Sequence, residues 1–365
     1  MLSARKVRLL IVLACLVAAR APSAEMSVDA SGAASAESPA GAFGDARVTA
    51  GRGGQPRVLL THASGARAEL YLLGATLTSF VTARGHELLF VSPRAAFDGA
   101  TPIRGGVPVC FPQFADQGAL PKHGFARTQP WTLLEAGEGS ALLELRDSPA
   151  TRALWPHAFR LALRVAFDGD TLGLTLEVDN LDAEEGAAGA AGAAAPFEFE
   201  ALLHTYLNLG AGGAAAARVA GLAGRQYRDK PSGGARRTEP AEAIALEGEV
   251  DRIFEAAPPE GGGAPGDVDV LLGAGGACTR VRVHRKAALR GEGHAARGPR
   301  LGGAVEPVPC DVVVWNPGAA RCAAIGDLEP ESWRSYVCVE PGVVTSRVAL
   351  PRGRGFALQV MMICE

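Results

Sequence analysis

The chain's architecture is announced by LALRVAFDGDTLGLTLEV, Leu161 to Val178. Leu172, Leu174, Leu176 and Val178 alternate with Gly173, Thr175, Glu177 and Asp179. Successive side chains of a strand point to opposite faces, so this alternation predicts a half-buried strand. The run Leu161–Phe167 precedes it across Asp168-Gly169-Asp170, a credible hairpin turn. Working outward, Arg57–Leu60, Ala68–Leu72, Leu142–Leu145, Val281–His284 and Val312–Trp315 read as further short strands. No run carries a convincing long amphipathic helix. Many of the 46 Gly and 24 Pro residues fall between the strand runs, where turns need them. The expected class is all-β.

At 365 residues, with 48% hydrophobic content, the chain can bury one large core. Its formal net charge of −3 gives no basic excess for binding nucleic acid, yet leaves room for a few local cations around a small anionic substrate. The seven cysteines are Cys15, Cys110, Cys278, Cys310, Cys322, Cys338 and Cys364, with no C-x-x-C pair. Zinc and iron–sulfur readings are therefore weak, and the cysteines are expected to be ordinary buried thiols.

Residues 1–25 read as a targeting segment. Arg5, Lys6 and Arg8 precede the apolar run Leu9–Ala19, and Ala19-Arg20-Ala21 offers a small-x-small cleavage site. The run is too short for a helix across the ~30 Å of a bilayer. A signal peptide, a transit peptide and a misassigned start are the readings open here. Residues 26–45 read as a flexible Ala/Ser/Gly linker, and a single folded domain is expected over 46–365. The Ala/Gly-rich stretches Glu184–Ala195, Ala211–Ala217 and Gly261–Gly266 are expected as surface loops.

Four segments could carry chemistry. In FEFEALLHTYLNL, Phe197 to Leu209, the odd positions form an apolar face and the even positions place His204 beside Tyr206 and Asn208. The alternative is a histidine that is merely exposed or covered by a loop. In SYVCVEPG, Ser335 to Gly342, Val337 and Val339 share one face and Tyr336, Cys338 and Glu340 the other. Pro341 is expected to end this strand, leaving Glu340 at its tip. A solvated glutamate is the competing reading. The Gly- and Pro-rich segment from Ile103 to Trp131 holds Arg104, Lys122, His123 and Arg127. Its arginines could grip a phosphate or sugar hydroxyls through their planar forks, or simply pair with carboxylates in a structural loop. In Tyr227-Arg228-Asp229-Lys230, Asp229 could accept hydrogen bonds from sugar hydroxyls, or sit in an exposed charged turn. There is no P-loop, no Gly-x-Ser-x-Gly elbow and no His-x-x-x-His pair.

In order along the chain, IRGGVPVCFPQF, LPKHGFAR, WPHAF, ALLHTYLNL, YRDK, VVVWNPG and YVCVEPG resemble the glucose-6-phosphate 1-epimerase (hexose-6-phosphate mutarotase) family of the aldose 1-epimerase superfamily. The resemblance covers roughly Arg47 to the C-terminus. It implies a large antiparallel β-sandwich of the galactose-mutarotase type, acting without metal or cofactor. It also implies His204 and Glu340 as the catalytic acid and base, with Arg104, Arg127 and Asp229 binding substrate. Lys122 departs from the family, which typically has Gln there; a Lys still donates hydrogen bonds and adds charge. Lys122 and His123 complete the expected substrate-binding set. The implied activity is exchange of the α and β anomers of a hexose 6-phosphate. Alternatives are an epimerase of unphosphorylated aldoses and a non-catalytic carbohydrate-binding sandwich. The expected partner is a small sugar phosphate, with no nucleic acid, no membrane for the mature form, and a monomeric chain. Sugar phosphates are mainly intracellular, so a secretory leader would sit uneasily with this substrate and a plastid destination would not.

Overall fold

The computed structural model describes residues 47–182, 196–256, 266–273, 276–291 and 306–365. The targeting segment, the linker, the whole of the Glu184–Ala195 stretch and all but the last residue of Gly261–Gly266 lie outside the described residues.

The hairpin is present. Phe159–Asp168 pairs antiparallel with Thr171–Asn180, and Asp168 stands opposite Thr171 across a turn at Gly169-Asp170. Leu172, Leu174, Leu176 and Val178 are all buried. The pair belongs to a ten-stranded sheet, flanked on one side by Ser140–Arg146 and Thr132–Gly137 and on the other by Gly355–Cys364 and Arg280–Arg290. An eight-stranded sheet carries Gln226–Asp229, Val250–Phe254, Asp311–Asn316, Tyr336–Leu350, Phe197–Leu203 and Val109–Cys110 as neighbours in that order, with Ala235–Thr238 at one edge. A four-stranded sheet is built from Arg47–Ala50, Pro56–Thr61, Arg67–Tyr71 and Thr76–Val81. One apolar core takes Leu172, Leu174 and Met362 from the large sheet and Val312, Val314, Val337 and Val339 from the second. The fold is the expected antiparallel β-sandwich. Among the described residues no helix is long and apolar enough to cross a membrane.

Three local expectations change. Pro341 does not end its strand: Tyr336–Leu350 runs through it, and Glu340 lies inside the strand. The neighbouring strand is what gives way. Phe197–Leu203 stops and resumes as Tyr206–Asn208, so its ladder is interrupted at His204-Thr205, alongside the stretch that contains a residue with no donor N–H. Ala211–Ala217 is not a surface loop throughout. It holds a turn of helix, Gly213–Ala216, with Ala214 and Ala217 in the core, because methyl side chains let the backbone approach the sheet closely. Finally, Cys110, Cys310, Cys322 and Cys338 are buried thiols as expected, but Cys278 and Cys364 are joined in a disulfide.

Candidate active site

Directly paired residues of adjacent antiparallel strands share a face. Ile253, Val313 and Glu340 form one such row across three strands. Asp251, Trp315, Cys338 and Tyr206 form the next. Both rows lie on the face opposite the Val312, Val314, Val337 and Val339 core, and that face floors a cleft of about 190 Å³ lined by His204, Glu340, Trp315, Asp251 and a rim of cations.

His204 sits in the interruption of its strand. Its backbone N–H donates to the Pro108 carbonyl at 3.0 Å, and its ring reaches across to the neighbouring strand. Nδ1 lies 3.4 Å from Glu340 Oε1. The two residues are 8% and 2% exposed, so both are essentially buried. Among the described residues, neither His204 Nδ1 nor Glu340 Oε2 has a hydrogen-bond partner. Buried polar atoms are normally satisfied, so this pair offers donor and acceptor capacity to a ligand. Burial holds the His204 imidazole well below the usual histidine range, helped by the nearby charges of His123, Arg104 and Arg127. Burial pushes the Glu340 carboxyl well up; Asp251 adds to this and Lys230 opposes it. Cys338 Sγ lies within 4.8 Å of the ligating atoms of both. Burial raises its thiol well above the ordinary value.

Aromatic rings fix the imidazole. Tyr206 stacks on His204 with centroids 4.9 Å apart and planes 10° apart, and Trp315 meets it edge-on at 5.9 Å. His123 closes the other side at 5.4 Å. His123 adopts φ +65°, sparsely populated for a residue with Cβ, and its Nδ1 lies 3.3 Å from Cys110 Sγ. Burial first, then Arg127 and Lys122, lowers its pKa to about 2, so this ring is neutral. The next residue must be glycine: at Gly124, φ +69°, a Cβ would stand 2.1 Å from the Phe111 carbonyl oxygen. Gly106 plays the same part after Arg104, where a Cβ would meet Leu77 O at 2.1 Å. The first approach folds the irregular Ile103–Trp131 segment onto its own Phe111 and the second holds it against Leu77 of the four-stranded sheet, with Arg104, Lys122, His123 and Arg127 all lining the cleft.

The cations differ in how far they are already neutralised. Arg104 donates through Nε to Asp327 at 3.0 Å and through Nη1 to Tyr206 Oη at 3.2 Å. Lys230 faces Asp251 at 3.5 Å and Arg321 faces Glu249 at 3.4 Å. Arg127 donates only to a carbonyl, that of Lys122 at 2.7 Å, and its buried Nε has no hydrogen-bond partner among the described residues. Burial, with Arg104 nearby, depresses its guanidinium, and burial likewise lowers Lys122. An anion would relieve both.

Asp229 does not join this set. It stands opposite Arg252, in the row of Val314 and Val339 on the core-side face. Its carboxylate accepts from Ser232 Oγ at 2.7 Å and faces Arg237 at 3.3 Å. Asp251 supplies the cleft's aspartate instead. Sequence reasoning also passed over Lys230, Trp315 and Arg321. The one available signal was the alternation of Val250-Asp251-Arg252-Ile253-Phe254, which separates Asp251 from Val250 and Phe254 but does not say which face meets a cleft.

Residues 56–260 match the family model described as Aldose 1-epimerase. A protein of Cenchrus ciliaris named "Putative glucose-6-phosphate 1-epimerase" is 31% identical over 311 residues, covering 82% of each chain. An Escherichia coli K12 protein of the same name is 31% identical over 280 residues, 75% of this chain and 79% of that one. The solved structure of a "putative mutarotase (YeaD)" from Salmonella typhimurium superposes with a TM-score of 0.64 at 25% identity, covering 85% of this chain and 91% of the other. The galactose mutarotase related enzyme from Lactobacillus acidophilus, at 16% identity and a TM-score of 0.61, shares the fold. The paired His204 and Glu340 thus lie in a β-sandwich whose sequence and architecture place the chain in the aldose 1-epimerase family.

Proposed function

We propose that the chain is a glucose-6-phosphate 1-epimerase that exchanges the anomers of a hexose 6-phosphate, with Glu340 as base and His204 as acid. The observation that carries this reading is the unpartnered pair, Nδ1 of His204 facing Oε1 of Glu340 at 3.4 Å, in a cleft whose cations are not all neutralised. The Glu340 carboxylate takes the proton of the C1 hydroxyl. The C1–O5 bond breaks, and the ring oxygen takes a proton from the His204 imidazolium. Rotation about C1–C2 turns the aldehyde, and the reverse transfers close the ring on the other face. Positioned proton transfer of this kind contributes about 10²–10⁴-fold.

The proton count closes. The ion pair and the neutral pair hold the same single proton, so a turnover consumes none, and the two groups titrate as a unit. Burial favours the neutral form of each side chain, which is the state reached when the ring opens. Arg127 and Lys122 would take the phosphate, since an anion there replaces lost hydration, while Arg104, pinned by Asp327 and Tyr206, would present a preorganised fork. Trp315 offers a ring face to the apolar side of the sugar.

Anomer exchange followed by NMR tests this. Wild-type chain should accelerate exchange of glucose 6-phosphate more than that of glucose, and His204→Ala should abolish it. Equal acceleration of both sugars would overturn the phosphate assignment. Wild-type rates in His204→Ala would overturn the catalytic one.

A further inference from the structure

Away from the cleft, the end of the chain is docked on a turn of the four-stranded sheet. Thr82 and His86 close that turn on each other: Thr82 N donates to His86 O at 2.9 Å and His86 N to Thr82 Oγ1 at 3.1 Å. Arg84, at its tip, donates to the Cys364 carbonyl and pairs with Asp170 at 2.9 Å. Cys364 ends the last strand and stands opposite Val281, with Cys278 just before the latter's strand. The turn therefore brings His86 to both sulphurs: one imidazole nitrogen and the two Sγ atoms all lie within 4.8 Å of one another. His86 Nε2 is buried and, among the described residues, has no hydrogen-bond partner. A disulfide alone makes no use of that nitrogen.

We propose that Cys278, Cys364 and His86 form a binding site for a thiophilic divalent cation of the zinc class, and that the disulfide is the metal-free, oxidised form of the same site. Two thiolates and an imidazole suit such a cation and leave a coordination position for water. Opening the site takes two electrons and two protons from an external dithiol, which itself becomes a disulfide; each thiol then releases its proton when the metal binds. Burial, with Arg84 beside it, holds the His86 imidazole below the usual histidine range, in its ligating neutral form. His86 is half-buried while both cysteines are buried, so a cation enters from the His86 side.

The test is a Co²⁺ titration of the full chain, reduced with a phosphine that is then removed. One equivalent should develop a thiolate-to-cobalt charge-transfer band, absent from the unreduced chain. Cys278→Ser should lose the band, and His86→Ala should bind at least about tenfold more weakly. The band should persist in Glu340→Gln, which disables the other grouping of potential ligands, His204, Cys338 and Glu340. Absence of the band from the reduced chain, or its persistence at unchanged affinity in His86→Ala, would overturn the proposal. Loss of the band in Glu340→Gln would assign the cation to the cleft and overturn it equally.

Discussion

Glu340→Gln keeps the shape of the side chain and removes its charge, and it should move activity and stability in opposite directions. Losing the base costs about 10²–10⁴ in kcat, equivalent to about 3–5 kcal/mol of barrier. Stability follows from the carboxyl's burial. Its pKa is raised in the folded chain, so the folded state holds a proton that the unfolded state has released above about pH 4.3. The stability Glu340 contributes is therefore full below the unfolded value and is lost as pH rises toward the folded value. In that window wild type loses about 1.4 kcal/mol per pH unit relative to the Gln variant. Urea unfolding of both proteins at several pH values from 5 to 8, alongside anomer exchange at each, reads the two quantities together. The variant should be catalytically weak yet increasingly more stable than wild type toward pH 8. A pH-independent stability difference would refute the buried, proton-holding carboxyl, and a variant that is less stable at every pH would make Glu340 a structural residue.

Asp251→Asn removes a neighbour that holds the Glu340 carboxyl up, so the acid limb of the kcat/KM profile should move to lower pH, whereas Lys230→Gln should move it to higher pH. Shifts in the same direction would contradict that electrostatic arrangement. Arg127→Ala should raise KM for glucose 6-phosphate at least about tenfold while changing KM for glucose far less, because an exposed-to-buried charge pair with phosphate is worth about 1.5–3 kcal/mol; equal changes would place the phosphate elsewhere. Asp229→Asn should leave both kinetic constants near wild type, given its place on the core-side face, and a large rise in KM would bring it back into the site. Gly124→Ala should destabilise by at least about 1–2 kcal/mol from its left-handed φ alone, with more from the approach to Phe111 O, read as a fall in Tm of several degrees.

Much of the fold was legible because period-two patterning is local. The Leu161–Val178 hairpin and the apolar odd positions of Phe197–Leu209 needed only neighbours in sequence, and Phe197, Phe199, Ala201, Leu203, Leu207 and Leu209 all enter the core. The face assignment of Val337 and Val339 against Tyr336, Cys338 and Glu340 held for the same reason. The strand end at Pro341 failed because a missing donor can be absorbed by the partner strand, and here the partner breaks at His204. That break also turns the histidine toward Glu340, which no reading of either segment alone could show.

Alternation within each strand, together with the ordered motifs, pointed to an all-β chain resembling the aldose 1-epimerases and to His204 and Glu340 as its leading candidates. Which aspartate faces the cleft was decided only by register. A shift of one residue moves a side chain to the other face of a sheet. Asp229 aligns with Arg252, Val314 and Val339 on the core side, while Asp251 aligns with Trp315 and Cys338 on the cleft side. The same holds for protonation: the composition of His204 and Glu340 gives them ordinary titration ranges, and only burial 3.4 Å apart drives both toward their neutral forms. Register and desolvation arise from contacts between segments distant in the chain, so they belong to the tertiary structure.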